Sequence, residues 1–354
     1  MKFIINNLFS SDKSKESVAC LDLDPGQPEM CLPGCISLTE ITKPLLGQAF
    51  THYENTNCFK CLKEKLLGCV SVSTILHKYI KIVQSMIDYF NSNCENIPLV
   101  INTMGWTRDI GLDIIVDLIR IIKPTHVIQL DGSNPGQSFP IELTSEAVTE
   151  SNRNIVTKST DYFSINHKLI LLKSGIDARH NKHETSRAKD KRTLRILSYF
   201  TQLWDSDVED LNALTVKNII KVPWTDVGLH VLGKNVPRSH ILLALNSSLV
   251  ALTKIDPSCL ETENPNHPKY INNNTEKEAP ECIGWGIIRG IDTDTKEIHI
   301  MTPITETVFK KQVNCIIQSA EICLPETLLG LFGTGKCFSY SFIQHINFNH
   351  GNDA

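Results

Sequence analysis

Two short runs carry the residue types that phosphoryl-transfer chemistry needs, Cys20-Leu-Asp-Leu-Asp-Pro-Gly-Gln-Pro-Glu29 and Leu99-Val-Ile-Asn-Thr-Met-Gly-Trp106. Each begins in apolar residues that suit a buried strand and then breaks into a polar, glycine-containing loop. In an open α/β sheet, ligands bind just beyond the carboxyl ends of the strands. Two such ends would place Asp22, Asp24 and Gln27 near Thr103, Gly105 and Trp106 along one crevice. A carboxylate there can hold Mg²⁺ through water, or take the proton of an attacking hydroxyl; Gln27 can orient a water or a phosphate oxygen. Trp106, after a glycine at a loop mouth, can offer its face to a nucleobase, worth roughly 1–3 kcal/mol per stacked base. Both runs also have a plainer reading. Asp-Pro-Gly is a favoured turn whatever its use, and Trp106 can simply be a core aromatic covering the sheet.

The third candidate is the basic stretch Arg187-Ala-Lys-Asp-Lys-Arg192-Thr-Leu-Arg195. On a helix, Arg187, Lys191 and Arg195 share one face, with Lys189 and Arg192 to either side. Planar guanidinium forks suit phosphate, although a solvated charged helix is the ordinary outcome for such a run. Gly330-Leu-Phe-Gly-Thr-Gly-Lys-Cys337 matches G-x-x-x-x-G-K, with Cys where Ser or Thr would hold Mg²⁺. A phosphate loop follows a buried strand and opens a helix. Here Leu-Pro-Glu-Thr-Leu-Leu precedes the match and a strand-like Cys-Phe-Ser-Tyr-Ser-Phe follows it, so no nucleotide is expected there. Cys58-x-x-Cys61 with Cys69 offers three possible zinc ligands, which Cys31, Cys35, His52 or His77 could complete. No second C-x-x-C pair follows at the usual spacing, and incidental thiols are the simpler expectation. There is no Ser/His/Asp or H-E-x-x-H pattern.

The elements that must position these residues alternate. Phe3, Ile4, Leu8 and Phe9 suit one face of a short opening helix, and Val18 to Leu23 reads as a strand. Residues 30 to 70 look irregular. Apolar residues from Ile75 to Phe90 recur with a 3.6 period, predicting an amphipathic helix over 73–90. Pro98–Thr103 is a second strand, Ile110–Ile122 a helix closed by Lys123-Pro124, and Thr125–Leu130 a third strand. That spacing predicts a βαβ unit of a parallel sheet. Residues 133 to 166 read as loops with a short strand. Beyond 206 the texture changes to short β-like runs (241–245, 249–252, 285–291 and 297–301), interrupted by a polar insert over 261–280 that reads as a mobile loop. The expectation is an α/β fold. Residues 1–205 would form an α/β domain with a parallel sheet and the basic stretch at 180–200, and residues 206–354 a smaller β-rich domain.

The 354 residues are 41% hydrophobic and 21% charged with a net charge of −4, so no global basic field advertises nucleic acid, and polyanions would need local clusters. The twelve cysteines are spread along a chain that opens without a signal peptide's apolar core, which points to reduced thiols. No apolar run is long enough to span a membrane, and no membrane partner is expected.

Taken together, Leu21–Glu29, Pro33-Gly-Cys-Ile-Ser-Leu38, Val100–Trp106 and Arg187–Phe200 resemble the nucleolar polynucleotide 5′-hydroxyl kinases, the nucleolar protein 9 family. A looser likeness reaches the RNA kinase of the pre-mRNA cleavage machinery. The resemblance covers residues 1 to about 250 and continues more weakly through Trp285–Asp292 and Met301-Thr-Pro303. It implies transfer of the ATP γ-phosphate to the 5′-hydroxyl of RNA, or of DNA, with Mg²⁺. The setting it implies is the nucleus and nucleolus, on pre-rRNA, in ribosome biogenesis beside an endonuclease. Asp24 then stands where the family's carboxylate accepts the hydroxyl proton or helps hold the metal, with Asp22 as a second metal candidate and Gln27 beside it. Thr103, Gly105 and Trp106 match a clasp on the substrate's 5′ end, and Arg187 and Arg192 match lid arginines. The family's phosphate loop would lie just before Phe3, where this sequence has none. The resemblance therefore implies that residues 1–205 are an incomplete P-loop kinase domain with a basic lid at 180–200, and that the chain is an N-terminally truncated kinase, inactive as written. The alternative is a non-catalytic subunit that binds RNA ends or a partner.

Overall fold

The computed structural model describes residues 1–11, 16–52, 58–132, 136, 138–157, 165–173, 188–203, 219–233, 235–262, 264, 266–271, 279–319 and 321–324. The N-terminal part runs α1 (Lys2–Ser11), β1 (Val18–Asp22), β2 (Cys35–Ile41), β3 (Phe59–Leu66), α2 (Leu76–Asn93), β4 (Leu99–Asn102), α3 (Ile110–Ile122), β5 (His126–Asp131), α4 (Ser145–Glu150), β6 (Lys168–Lys173) and α5 (Ala188–Phe200). There follow β7 (Ile219–Pro223), β8 (Gly228–Leu232), α6 (Ile241–Leu245), β9 (Leu249–Lys254), β10 (Leu260–Glu261), β11 (Lys269–Ile271), β12 (Glu281–Asp292), β13 (Glu297–Met301), α7 (Glu306–Gln312) and β14 (Cys315–Ser319).

β1 shows why a five-residue run without alternation becomes a strand. Its side chains point alternately to the two faces, and both faces are covered. Ala19 and Leu21 face the core built with α2 and α3, where Tyr79, Val83, Met86, Leu112 and Val116 pack. Val18 and Cys20 face Ile5 of α1, with Ile41 and Leu45 beside them. β1 pairs parallel with β4, Asp22 opposite Asn102, and antiparallel with β2. The Tyr79 hydroxyl donates to the Leu23 carbonyl (2.9 Å), tying α2 to the strand end.

The second half continues the same sheet rather than forming a separate one. The strand order is β10-β11-β8-β14-β9-β12-β3-β2-β1-β4, with β13 on β12 and β7 on β13. The join between halves is narrow. β12 meets β3 at Glu281 opposite Lys65, supported by Leu66 N–H to Pro280 O (2.9 Å) and Lys65 Nζ to Ala279 O (3.0 Å).

Several expectations are corrected. Residues 30–70 contain the antiparallel pair β2–β3; in Phe59-Lys-Cys-Leu-Lys-Glu-Lys-Leu66 charged residues on the less buried positions hide the strand pattern. Residues 133–166 contain the helix α4, capped by the Thr144 hydroxyl accepting from Ala147 N–H (3.1 Å). Residues 241–245 form α6 rather than a strand, since five apolar residues in a row have neither period and length alone does not arbitrate. The insert at 261–280 contributes β11, which pairs with β10 and β8. β4 and β5 flank α3 as expected, yet β5 pairs only with β6, parallel, in a separate two-stranded sheet among the described residues. Periodicity reveals a strand but not its neighbour.

Candidate functional site

The site grows from the adjacent ends of β1 and β4. Asp22 is fully buried there. Its Oδ1 accepts from Asn102 Nδ2 (2.9 Å) and the Asp24 amide (3.4 Å), and its Oδ2 from the Glu29 amide (2.6 Å). With both oxygens engaged, Asp22 pins the two strand ends and the returning loop together. Burial pushes its carboxyl up to about 6, against those hydrogen bonds. This value lies above that of an unfolded aspartate, so the unfolded chain ionises first. The stability contributed is complete below about pH 4 and is lost as the pH rises toward 6. Asp22→Asn is therefore expected to flatten the decline in unfolding free energy over that interval, read from urea midpoints. A variant curve parallel to the wild type's would remove Asp22 from the account.

Asp24 is half-buried one step further out. Its Oδ1 accepts from the Gly26 (2.9 Å) and Gln27 (3.1 Å) amides, so Asp-Pro-Gly-Gln is a turn closed by its own carboxylate. Gly26 is needed because a Cβ there would sit 2.9 Å from the Val70 carbonyl oxygen. Burial raises the Asp24 carboxyl, while the two amides and the positive charge of Arg192 pull it back. Arg192 of α5 thus faces Asp24 electrostatically. With Gln27, Lys2 and Lys191 it lines a crevice of about 490 Å³ between the amino end of α1, the loop after β1, and α5.

Glu29, on the same loop, bridges Lys2 Nζ (3.1 Å) and His52 Nδ1 (2.9 Å). Burial pushes its carboxyl up, but His52 and Lys2 outweigh that and hold it below the usual value. Sequence reasoning missed this bridge, because nothing in the spacing of Lys2, Glu29 and His52 brings them together. Arg195 is a correction. It shares a helix face with Lys191 by spacing, yet it is only 5% exposed and donates to the backbone carbonyls of Cys31 (Nε, 3.1 Å), His52 (Nη1, 2.7 Å) and Ala49. It anchors α5 through the backbone while also lining the wall of that crevice. Arg187 lies outside the described residues, as does the Gly330–Cys337 match.

At the neighbouring strand end Thr103 and Gly105 are exposed, and Met104 is buried between them. Trp106 is half-buried against the α2–α3 core. Gly111 lets α3 start against it, since a Cβ at 111 would lie 2.4 Å from Trp106 Cβ. Asp109, before α3, has a φ of 49°. Trp106 packs against the core and keeps part of its surface open to solvent. Cys58, Cys61 and Cys69 do not converge on a metal-sized site among the described residues. No helix among those residues is long and apolar enough to cross a membrane.

The chain is similar in sequence and fold to known proteins. The family model described as mRNA cleavage and polyadenylation factor CLP1 P-loop matches residues 1–167, and that described as NOL9-like, C-terminal domain matches residues 216–324. The polynucleotide 5′-hydroxyl-kinase NOL9 of Bos taurus is 30% identical, covering 94% of this chain and 49% of that protein. NOL9 of Arabidopsis thaliana is 28% identical, covering 88% and 79%. The polynucleotide 5′-hydroxyl-kinase GRC3 of Candida glabrata is 26% identical, covering 83% and 46%. The chain thus spans about half the length of the mammalian relatives it matches. Among solved structures, one describing the extended interface between Pcf11p and Clp1p shares the fold, with a TM-score of 0.54 at 15% identity over 88% of this chain and 69% of that one. A wild-type Clp1p–Pcf11p complex gives 0.53 at 12% identity over the same shares.

Proposed function

We propose, from the premise that this chain belongs to the NOL9 and GRC3 family of polynucleotide 5′-hydroxyl-kinases, that its β1–β4 crevice is the substrate side of an RNA 5′-hydroxyl kinase site. The observation that carries this is the parallel register of β1 and β4. It sets the Asp24 turn beside the Thr103–Trp106 loop, with Arg192 facing Asp24. Bound ATP with Mg²⁺ would supply the γ-phosphoryl group and screen its charge. Lys2, Gln27, Lys191 and Arg192 fit a polyphosphate by charge and by their shared crevice. Asp24 fits a water-bridged Mg²⁺, with Asp22 behind it as a positioning carboxylate.

In this reading Asp24 accepts the proton of the RNA 5′-hydroxyl as it attacks. Thr103, Gly105 and Trp106 hold the terminal nucleotide. Arg192, with Arg187, closes over the phosphates, where planar forks match the oxygens. The substrate in the cell is read as pre-rRNA 5′ ends in the nucleolus, made by a ribosome-biogenesis endonuclease. That part rests on the family resemblance alone.

The chain is expected to bind a 5′-hydroxyl RNA oligonucleotide through these loops. Trp106→Ala should weaken that binding by about 1–3 kcal/mol, roughly 5- to 150-fold, while Trp106→Phe keeps most of it. Fluorescence anisotropy with a labelled oligonucleotide reads the effect. Unchanged binding by Trp106→Ala would remove the clasp.

A further inference from the structure

The narrow join between the two halves of the sheet carries a second cluster of reactive side chains. Glu281 pairs with Lys65 across β12 and β3, so the antiparallel register puts Cys282 opposite Glu64. Across β3 and β2, Glu64 lies opposite Ser37, and Cys35 is two residues along β2 on the same face. One ligand atom from each of Cys35, Glu64 and Cys282 lies within 4.8 Å of the others. The Cys282 thiol donates to the Gly284 carbonyl (3.6 Å). Both cysteines are buried and Glu64 is partly so. Cys31, whose Sγ lies 3.5 Å from the Cys35 carbonyl oxygen, is a neighbouring thiol. Cys31 and Glu64 line a cleft of about 270 Å³, which gives an ion a way in.

We propose that Cys35, Glu64 and Cys282 bind a Zn²⁺ ion that staples β12 to β3 and β2. Two thiolates and a carboxylate from three adjacent strands suit tetrahedral zinc, with a water from the cleft in the fourth position. Binding releases the two thiol protons to solvent, and the thiolates become Zn–S ligands with no change of oxidation state. The site is separate from the β1–β4 crevice. Its position also gives it a purpose, because β12 and β3 share a single register pair with two flanking hydrogen bonds, beside the core that Leu66 and Trp285 share and the bond from Ser319 Oγ to Gly68 O.

The test uses the 354-residue chain, stripped of metal with a chelator and titrated with Co²⁺ as a spectroscopic stand-in for Zn²⁺. The expected result is a thiolate-to-cobalt charge-transfer band that saturates at one equivalent and is displaced by Zn²⁺. Cys35→Ser and Cys282→Ser should each weaken binding by about tenfold or more, while Cys94→Ser, at the end of α2, should match the wild type. No charge-transfer band, or equal binding by the Cys35 and Cys282 variants, would overturn the site. If either serine variant does not fold, Glu64→Gln decides the matter. Weaker Co²⁺ binding supports the site, and unchanged affinity removes it.

Discussion

Asp24→Asn is expected to lower 5′-hydroxyl phosphorylation about 10²- to 10⁴-fold, the range for loss of a positioned general base. The measurement uses labelled ATP and a 5′-hydroxyl RNA. The substitution is conservative in structure. An asparagine Oδ1 can still accept from the Gly26 and Gln27 amides, so the turn that sets the loop should persist. RNA affinity should consequently change little, and the loss should lie in turnover. A variant that turns over like the wild type would exclude Asp24 as the base. One that loses RNA affinity in step with turnover would assign Asp24 to binding.

Arg195→Met should destabilise the protein by about 3 kcal/mol. The guanidinium is the donor to three backbone carbonyls, and each buried acceptor left unpaired costs about 1–3 kcal/mol, not additively. The effect should extend to function. α5 carries both Arg195 and Arg192, so loosening the anchor displaces the arginine that faces Asp24. Urea denaturation should show the loss of stability, and affinity for a polyphosphate probe should fall with it. Lys191→Met, on the crevice-lining face, should weaken the probe without a comparable stability change. A loss below about 1 kcal/mol for Arg195→Met would show that the three hydrogen bonds are not the anchor they look to be.

The contrast between Arg192 and Arg195 shows where reading the chain stops. Both lie in one basic run, and helical spacing puts Lys191 and Arg195 on one face. Only packing reveals that Arg195 turns inward to the carbonyls of the loop after β1 and of the 3-10 turn Ala49–Thr51, while Arg192 faces Asp24. Asp22 and Asp24 divide similarly. Two carboxylates two residues apart look equivalent as metal candidates, but β1 ends at Asp22 and Asp24 lies in the turn beyond it. Asp22 is buried against Asn102 of the neighbouring strand, and Asp24 reaches the loop.

What the residues determine by themselves is local. Continuous apolar runs ending in Asp-Pro-Gly and in Thr-Met-Gly-Trp mark buried strands that open into polar loops. The 3.6 period marks α2 and α3. Four motifs in order carry the family resemblance. These signals are legible because they depend on neighbours a few positions away. The pairing of β5 with β6 instead of β4, the joining of both halves into one sheet through Glu281 and Lys65, the Lys2–Glu29–His52 bridge, and the convergence of Cys35, Glu64 and Cys282 were decided only by tertiary structure. Each depends on which strand edges and side chains meet across long stretches of chain. That outcome is set by the burial of the whole core, and no local spacing encodes it.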